Sequence, residues 1–347
     1  MFVLPYLEFR PRIAADIDAA SDAAVIGRAD IGARCHLGRM ATVRADGESI
    51  RIGADCWFGD FSTAHIAHGY LPAVVGNGVT VGAFGLVHAC DLGDDCVVGE
   101  HALVMDNSRV GAGAVIAADS VVPPGKTLEG GWLYAGVPAK PVRAVGADEL
   151  ATLHALVRKG ESSADAAINA LLRSAHQLQL PRHDAGHGVP ATLAGSAFVA
   201  PTAIVDANLS LGAGGSVWFG VEILGGGDVI SGAGSNLQDN SRIEIQAGEQ
   251  VRIGARVTVG HNVRMASCVV EDSAMIGMGS VLGAGTIVRA GGVVAAGAET
   301  APGTEVAAGE IWSGTPAQRW KPVPDDTRIN FARGGEVYIE YARNYSR

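Results

Sequence analysis

Hydrophobic and polar positions along the chain repeat in units of six. From about Ala23 an aliphatic residue followed by Gly recurs, as in V-I-G-R-A-D, I-G-A-R-C-H-L-G, V-G-N-G-V-T, V-G-A-F-G-L, D-L-G-D-D-C and V-V-G-E-H-A. That recurrence is the signature of a hexapeptide β-helix, in which each unit supplies one short strand and points its aliphatic side chain into a prism. Gly, Asn or Asp turns each corner at positive φ. Three units make a coil of roughly 18 residues, and successive coils stack at about 4.8 Å. An antiparallel sandwich would alternate apolar and polar residues over runs of five or more, and here glycine interrupts too often.

The stack occurs twice. Val75–Cys90, V-G-N-G-V-T-V-G-A-F-G-L-V-H-A-C, returns as Ile253–Cys268, I-G-A-R-V-T-V-G-H-N-V-R-M-A-S-C, at one constant offset along the chain. The first stack closes near Val121–Lys140, and the second closes with Gly309–Gln318 at the same offset. Between them the pattern becomes helical. Ala147–Lys159 places Leu150, Leu153, Leu156 and Val157 on one face, and Ala164–Gln177 does the same with Ile168, Leu171, Leu172 and Ala175. Gly160–Ser163 separates the two helices, with Ser163 as N-cap, and Pro181–Pro190 reads as a linker. The expected organisation is a first β-helix over 1–146, a helical segment and linker over 147–190, a second β-helix over 191–325 and a tail over 326–347. In that tail Gly335–Arg347 is expected to be a short helix, with Val337, Tyr338, Tyr341 and Tyr345 as its packing side.

Composition narrows the classes. The 48 glycines, few aromatics and 347 residues suit two domains of short apolar strands separated by turns. A net charge of −10, with no basic tract, argues against a nucleic-acid surface. Five cysteines without C-x-x-C spacing favour neither a disulfide framework nor a thiolate zinc site, and they read as small core residues. Met1–Arg10, interrupted by Pro5 and Glu8, is too short for a signal peptide, and no apolar run suits a membrane span. A cytoplasmic protein with no membrane partner is expected.

Coil phase identifies the candidate chemistry. The separation of His65 and His88 exceeds one coil; if Gly69–Ala73 leaves the helix as a five-residue loop, one coil remains, and both histidines share a face within reach of one metal ion. Position 83 falls across a corner and would face a different partner, most naturally the adjacent prism of an oligomer. It is Ala83 in the first copy and His261 in the second, whereas His88 is matched by Ala266. Each copy lacks the histidine that the other keeps. His101 and His68 are further ligand candidates in the first half, one by its spacing of a coil from Ala83 and the other by its closeness to His65.

This arrangement resembles the gamma-class carbonic anhydrases of the hexapeptide-repeat transferase superfamily. The motifs carrying the resemblance are R-A-D at Arg44–Asp46, E-S-I-R-I-G at Glu48–Gly53, W-F-G-D at Trp57–Asp60, N-L-Q-D at Asn236–Asp239, and the two histidine coils. The resemblance implies a mainly β fold, two left-handed parallel β-helix (hexapeptide repeat) domains joined by an α-helical segment. It implies a divalent metal, zinc foremost with iron or cobalt as alternatives, held by two histidines of one prism and one of its neighbour. Metal-bound water or hydroxide would act on CO₂ or another small carbonyl or acyl substrate. His65 matches the first ligand and His88 the last, and only a junction of a first half with a second adds His261. Gln238, Asp239, Arg44 and Asp46 match the groups that order water and substrate or join subunits. The family Gln is Gly59 in the first half, and in the second the Arg of the R-G-D motif is missing and Glu244 holds the first-ligand place.

A homo-oligomer is expected, either a trimer of two-domain chains or pseudo-trimeric rings mixing the halves. Two other functions suit the pattern. A non-catalytic assembly or scaffold subunit would tolerate such degraded sites, because a β-helix is stable without ligand. A CoA-dependent acyltransferase would use a histidine as general base.

Overall fold

The computed structural model describes residues 1–67, 69, 71–159, 166–173 and 191–345, and the chain divides into two compact units, Met1–Leu180 and Pro181–Arg347. Each is a left-handed β-helix of short parallel strands. In the first unit one face stacks Asp18–Ala19, His36–Leu37, Trp57–Phe58, Thr80–Val81, Val97–Val98, Val115–Ile116 and Trp132–Ala135 in chain order. Another face carries Thr63–His65, Leu86–His88, Leu103–Val104 and Val121–Val122. The remaining face carries Ala73–Val75, Asp91–Leu92, Arg109–Val110 and Thr127–Leu128. Leu37, Phe58, Val81, Val98 and Ile116 are among the side chains that fill the prism.

Two long strands, Ala24–Ile31 and Thr42–Ile52, run through a corner and pair into both of the latter faces. Gly27 makes this possible. Its φ is +71°, and a Cβ there would stand 2.3 Å from the carbonyl oxygen of Ala45, so no other residue fits. The register shifts between Gly27 and Ala29, a bulge that leaves Ile26 opposite Arg44. The β-helix also begins earlier than the six-residue pattern indicates. Phe2–Leu4 and Arg12–Ile13 pair in parallel with Ala24–Ile31, although Pro5 and Pro11 break the aliphatic-Gly rhythm in this first coil.

Helix α1 spans Ala147–Lys159, with Asp148 and Glu149 in its first turn and Arg158 and Lys159 in its last, the order the helix dipole favours. It buries Leu153 against Val97, Val115 and Leu133. Helix α2, Ala166–Leu172, ends on the corners of two coils, where the carbonyls of Leu171 and Leu172 accept from the amides of Ala118 (2.7 Å) and Glu100 (3.0 Å). The helix expected to continue to Gln177 lies beyond residue 173 outside the described residues.

The second unit repeats the three faces as sheets of seven, eight and six strands. It is followed by helix α3, Asp325–Tyr345, which is longer than the short helix expected from Gly335. Asp325 and Asp326 support its first turn, and Phe331 packs against the cluster of Val293, Ile311 and Val323. No helix among the described residues is long and apolar enough to cross a membrane.

A histidine fastens α1 to its coil. His154 accepts the Thr80 hydroxyl at Nδ1 (2.7 Å) and donates from Nε2 to the carbonyl of Asp95 (3.2 Å). Arg158 donates to Thr80 Oγ1 (2.8 Å) and to the carbonyl of Gly78 (2.8 Å). Only a neutral imidazole can accept at Nδ1 and donate at Nε2. Burial first, then the Arg158 charge, push the His154 pKa below its usual 6.5. The unfolded chain therefore takes up a proton at a pH where the folded chain does not, and stability is lost as pH falls below about 6.5. The urea midpoint of the wild-type chain should accordingly drop more between pH 7.5 and pH 5.5, both about one unit from that value, than the midpoint of His154→Gln. Parallel pH dependences would contradict this role for His154.

Candidate metal centre

His65 and His88 end strands Thr63–His65 and Leu86–His88, which pair in register so that one histidine stands directly over the other. The register requires the intervening chain to leave the helix. It does so in a loop pinched by paired hydrogen bonds between Ala67 and Leu71, both 3.2 Å. The two imidazoles lie 5.3 Å apart, centroid to centroid, at 71° to each other. Arg44 is the next member of the same column, opposite His65.

Each imidazole has its Nδ1 engaged. His65 Nδ1 is 2.6 Å from the carbonyl oxygen of Arg44, and a carbonyl only accepts, so the proton resides on Nδ1. His88 Nδ1 donates to the carboxylate of Asp106. Both rings are buried, and both tautomers leave the lone pair on Nε2. Arg44 and Asp46 form a fully buried ion pair on one strand, and Arg44 Nη2 also reaches His65 Nε2 at 3.1 Å. Their charges are thus paired within the unit. The sequence reading does not single out Asp106, although it follows His88 by one coil period.

His101 sits elsewhere. The coil from Thr80 to Val97 is one residue shorter than the usual coil, so His101 stands over Phe84 and not over Ala83. Phe61, Phe84 and His101 stack face to face at 4.8 and 4.7 Å, all at corner positions with φ near +55°. Stacking offsets the strain of a left-handed backbone at residues with a large Cβ substituent. His68 lies outside the described residues.

In the second unit Asn236–Leu237 pairs with Thr258–Val259, which brings Asp239 under His261. Asp239 Oδ1 accepts the amide of Phe219 at 3.0 Å and Oδ2 lies 3.1 Å from His261 Nδ1, an arrangement that favours the proton on Nδ1. Tyr338, carried by α3, places its hydroxyl 3.3 Å from His261 Nε2. The sequence reading assigns the tyrosines of this helix to packing. That describes Tyr341 and Tyr345, which surround Trp218 at 6.1 and 5.6 Å, but Tyr338 also contacts the histidine. Gln238 donates to Asn236 Oδ1 and Asn236 to Thr258 Oγ1, both at 3.1 Å, so the Gln238 amide is fixed in orientation. Glu244 occupies the position in its strand that His65 occupies in the first unit, and it is tied to Arg242.

Taken one by one, these histidines have the second-nitrogen surroundings of metal ligands. A metal-ligating histidine characteristically directs its second nitrogen to a carboxylate or a backbone carbonyl, which fixes the tautomer. Asp106, the Arg44 carbonyl and Asp239 stand in those places for His88, His65 and His261 respectively. Three of the thiols are poor candidates. Burial pushes Cys96 and Cys268 up to about 12 and raises Cys90 further, so none offers a thiolate near neutral pH.

Removing Asp239 would leave the Phe219 amide without its acceptor inside the protein. Asp239→Ala should therefore destabilise the second unit by about 1–3 kcal/mol, with loss of Phe219 amide protection in hydrogen exchange. Asp60, which holds the Arg39 amide at 2.9 Å in the first unit, is only partly buried, and Asp60→Ala should cost less because water can substitute. Equal effects would contradict the assignment of Asp239 to a dual role.

No family model matches the chain. The chain is 32% identical over 145 residues to "Gamma carbonic anhydrase 2, mitochondrial" of Arabidopsis thaliana, covering 40% of this chain and 52% of that relative, about half its length. It is 30% identical over 155 residues to "Protein YrdA" of Escherichia coli (strain K12), covering 43% of this chain and 84% of YrdA. A solved structure of a putative acetyltransferase from Desulfovibrio desulfuricans G20 matches 99% of this chain and 82% of its own at a TM-score of 0.53, with 13% sequence identity. That last likeness is one of fold. With its repeated six-residue pattern, two β-helical units and a match to most of YrdA, the chain belongs to the gamma carbonic anhydrase-like proteins of the hexapeptide-repeat, left-handed β-helix superfamily, as a tandem duplication.

Proposed function

We propose that the protein is a metal-dependent enzyme of the gamma carbonic anhydrase type, acting on CO₂ or another small carbonyl or acyl substrate. Its ligands would be His65 and His88 of a first half and His261 of a second half, meeting where unlike halves adjoin in the chain or its oligomer. One observation carries the reading: His65 and His88 stand in register with both Nδ1 atoms engaged, so two Nε2 lone pairs share one column. A divalent zinc, iron or cobalt ion held by three neutral imidazoles supplies a Lewis acid and lowers the pKa of its water to about 7.

The remaining roles belong to the protein's own side chains. Asp106 and the Arg44 carbonyl keep the protons of His88 and His65 on Nδ1, and Asp239 does so for His261. Arg44 Nη2 and the Tyr338 hydroxyl lie at the Nε2 atoms of His65 and His261, so a metal held by these atoms would take the place of both contacts, with Arg44 still paired to Asp46. Gln238, held by Asn236, presents its amide oxygen in one direction and orders water or substrate beside His261.

A second reading, a non-catalytic assembly subunit, is favoured by the replacements. Gly59 stands where the family has Gln, Leu224 takes the register position of Arg44, and Glu244 is paired with Arg242. Metal content separates the two. Purified without chelator, the wild-type chain should carry more than about 0.5 equivalents of zinc, iron or cobalt. His65→Ala, His88→Ala and His261→Ala should each lose most of it together with CO₂ hydration, whereas Glu244→Ala should retain it. Less than about 0.2 equivalents in the wild type, or a His88→Ala chain unchanged in metal and activity, would establish the assembly reading instead.

A further inference from the structure

Helix α3 carries Gly334 and Gly335 near its middle, and neither is there for lack of room. A Cβ at Gly334 would meet nothing within 4 Å, and at Gly335 the nearest atom would be Thr258 Oγ1 at 3.9 Å. Neither has positive φ. Glycine weakens a helix interior relative to alanine, so a pair without a steric reason makes a deliberate weak joint in α3.

Beneath this joint lies a cavity of about 200 Å³, between α3 and the second β-helix. Apolar cavities of about 150 Å³ admit a molecule the size of benzene. Met275, Phe331 and Ile339 supply apolar walls, and the rim is cationic. Arg256 makes no side-chain hydrogen bond or ion pair with any described residue, and the ion pair of Arg328 is with the exposed Asp325 at 4.0 Å. One carboxylate, Glu336, also borders the cavity, against these two guanidinium groups. Thr258 Oγ1 accepts from Asn236 Nδ2 at 3.1 Å, which leaves its own proton to donate toward the cavity.

We propose that this cavity binds a short-chain monocarboxylate of about four to six carbons, a length set by its volume. The carboxylate lies at Arg256 and Arg328 with the Thr258 hydroxyl as a further donor, and the alkyl tail lies among Met275, Phe331 and Ile339. Opening of α3 at Gly334–Gly335 admits the ligand. None of these groups is a proposed ligand of the ion, although Thr258 supports Asn236 and through it Gln238, and α3 also carries Tyr338.

The test titrates pentanoate into the full-length protein labelled at its methionine methyl groups, with the Met275 methyl resonance as reporter. Saturable binding is expected, with acetate at least about tenfold weaker for want of buried methylenes. Arg256→Gln should weaken pentanoate by at least about tenfold while leaving the neutral 1-pentanol unchanged. Gly335→Leu should fill the cavity and abolish binding while raising the melting temperature, since leucine favours the helix and there is room for it. No saturable shift up to about 10 mM pentanoate would overturn the proposal. So would undiminished binding in Gly335→Leu, and pentanoate binding unaltered in Arg256→Gln would overturn the carboxylate assignment.

Discussion

The hydrogen-bonded register between successive coils is the constraint on which the rest of this protein depends. Parallel strands one coil apart pair residue for residue, so a position in one coil is held directly over its counterpart in the next. Chemistry that needs two groups at a fixed separation can be built from residues one coil apart, without a dedicated loop or cleft. Arg44, His65 and His88 form such a column, and Asp239 under His261 forms another. The same constraint governs insertions: a loop placed at a corner, as at Ala67–Leu71, is tolerated because both ends return to register.

Register also explains how the two copies of a duplicated chain can diverge position by position. The same column positions exist in both units, and each can be occupied independently. The first unit keeps histidine at the two in-line positions and Ala83 at the corner. The second keeps His261 at the corner and fills the first in-line place with Glu244, which is drawn to Arg242. The supporting groups follow the same division. Asp60 and Asp239 both hold the amide of the preceding coil, but only Asp239 has a histidine above it to orient.

Most of the fold is legible because the six-residue rhythm is a direct record of the prism. The in-register pairing of His65 and His88 follows from counting residues once the loop before strand Ala73–Val75 is set aside. Counting fails where coil length varies. It places His101 one residue out because that coil is one residue short, a deviation that leaves no local mark in the sequence. The first coil escapes the pattern because Pro5 and Pro11 interrupt its rhythm while its strands still pair. The length of α3 escapes it because two glycines outweigh the acidic first turn in a local reading. Tyr338 cannot be assigned from sequence, since its contact with His261 joins distant positions through the packing of a helix on a sheet.

The proposed centre is a metal held by three imidazoles drawn from unlike halves. X-ray absorption on the zinc-loaded full-length protein reads that coordination most directly. The account predicts three imidazole nitrogens at about 2.0–2.1 Å, falling to two in His261→Ala. A first shell with fewer than three imidazoles in the wild type, or one unaltered by His261→Ala, would contradict it.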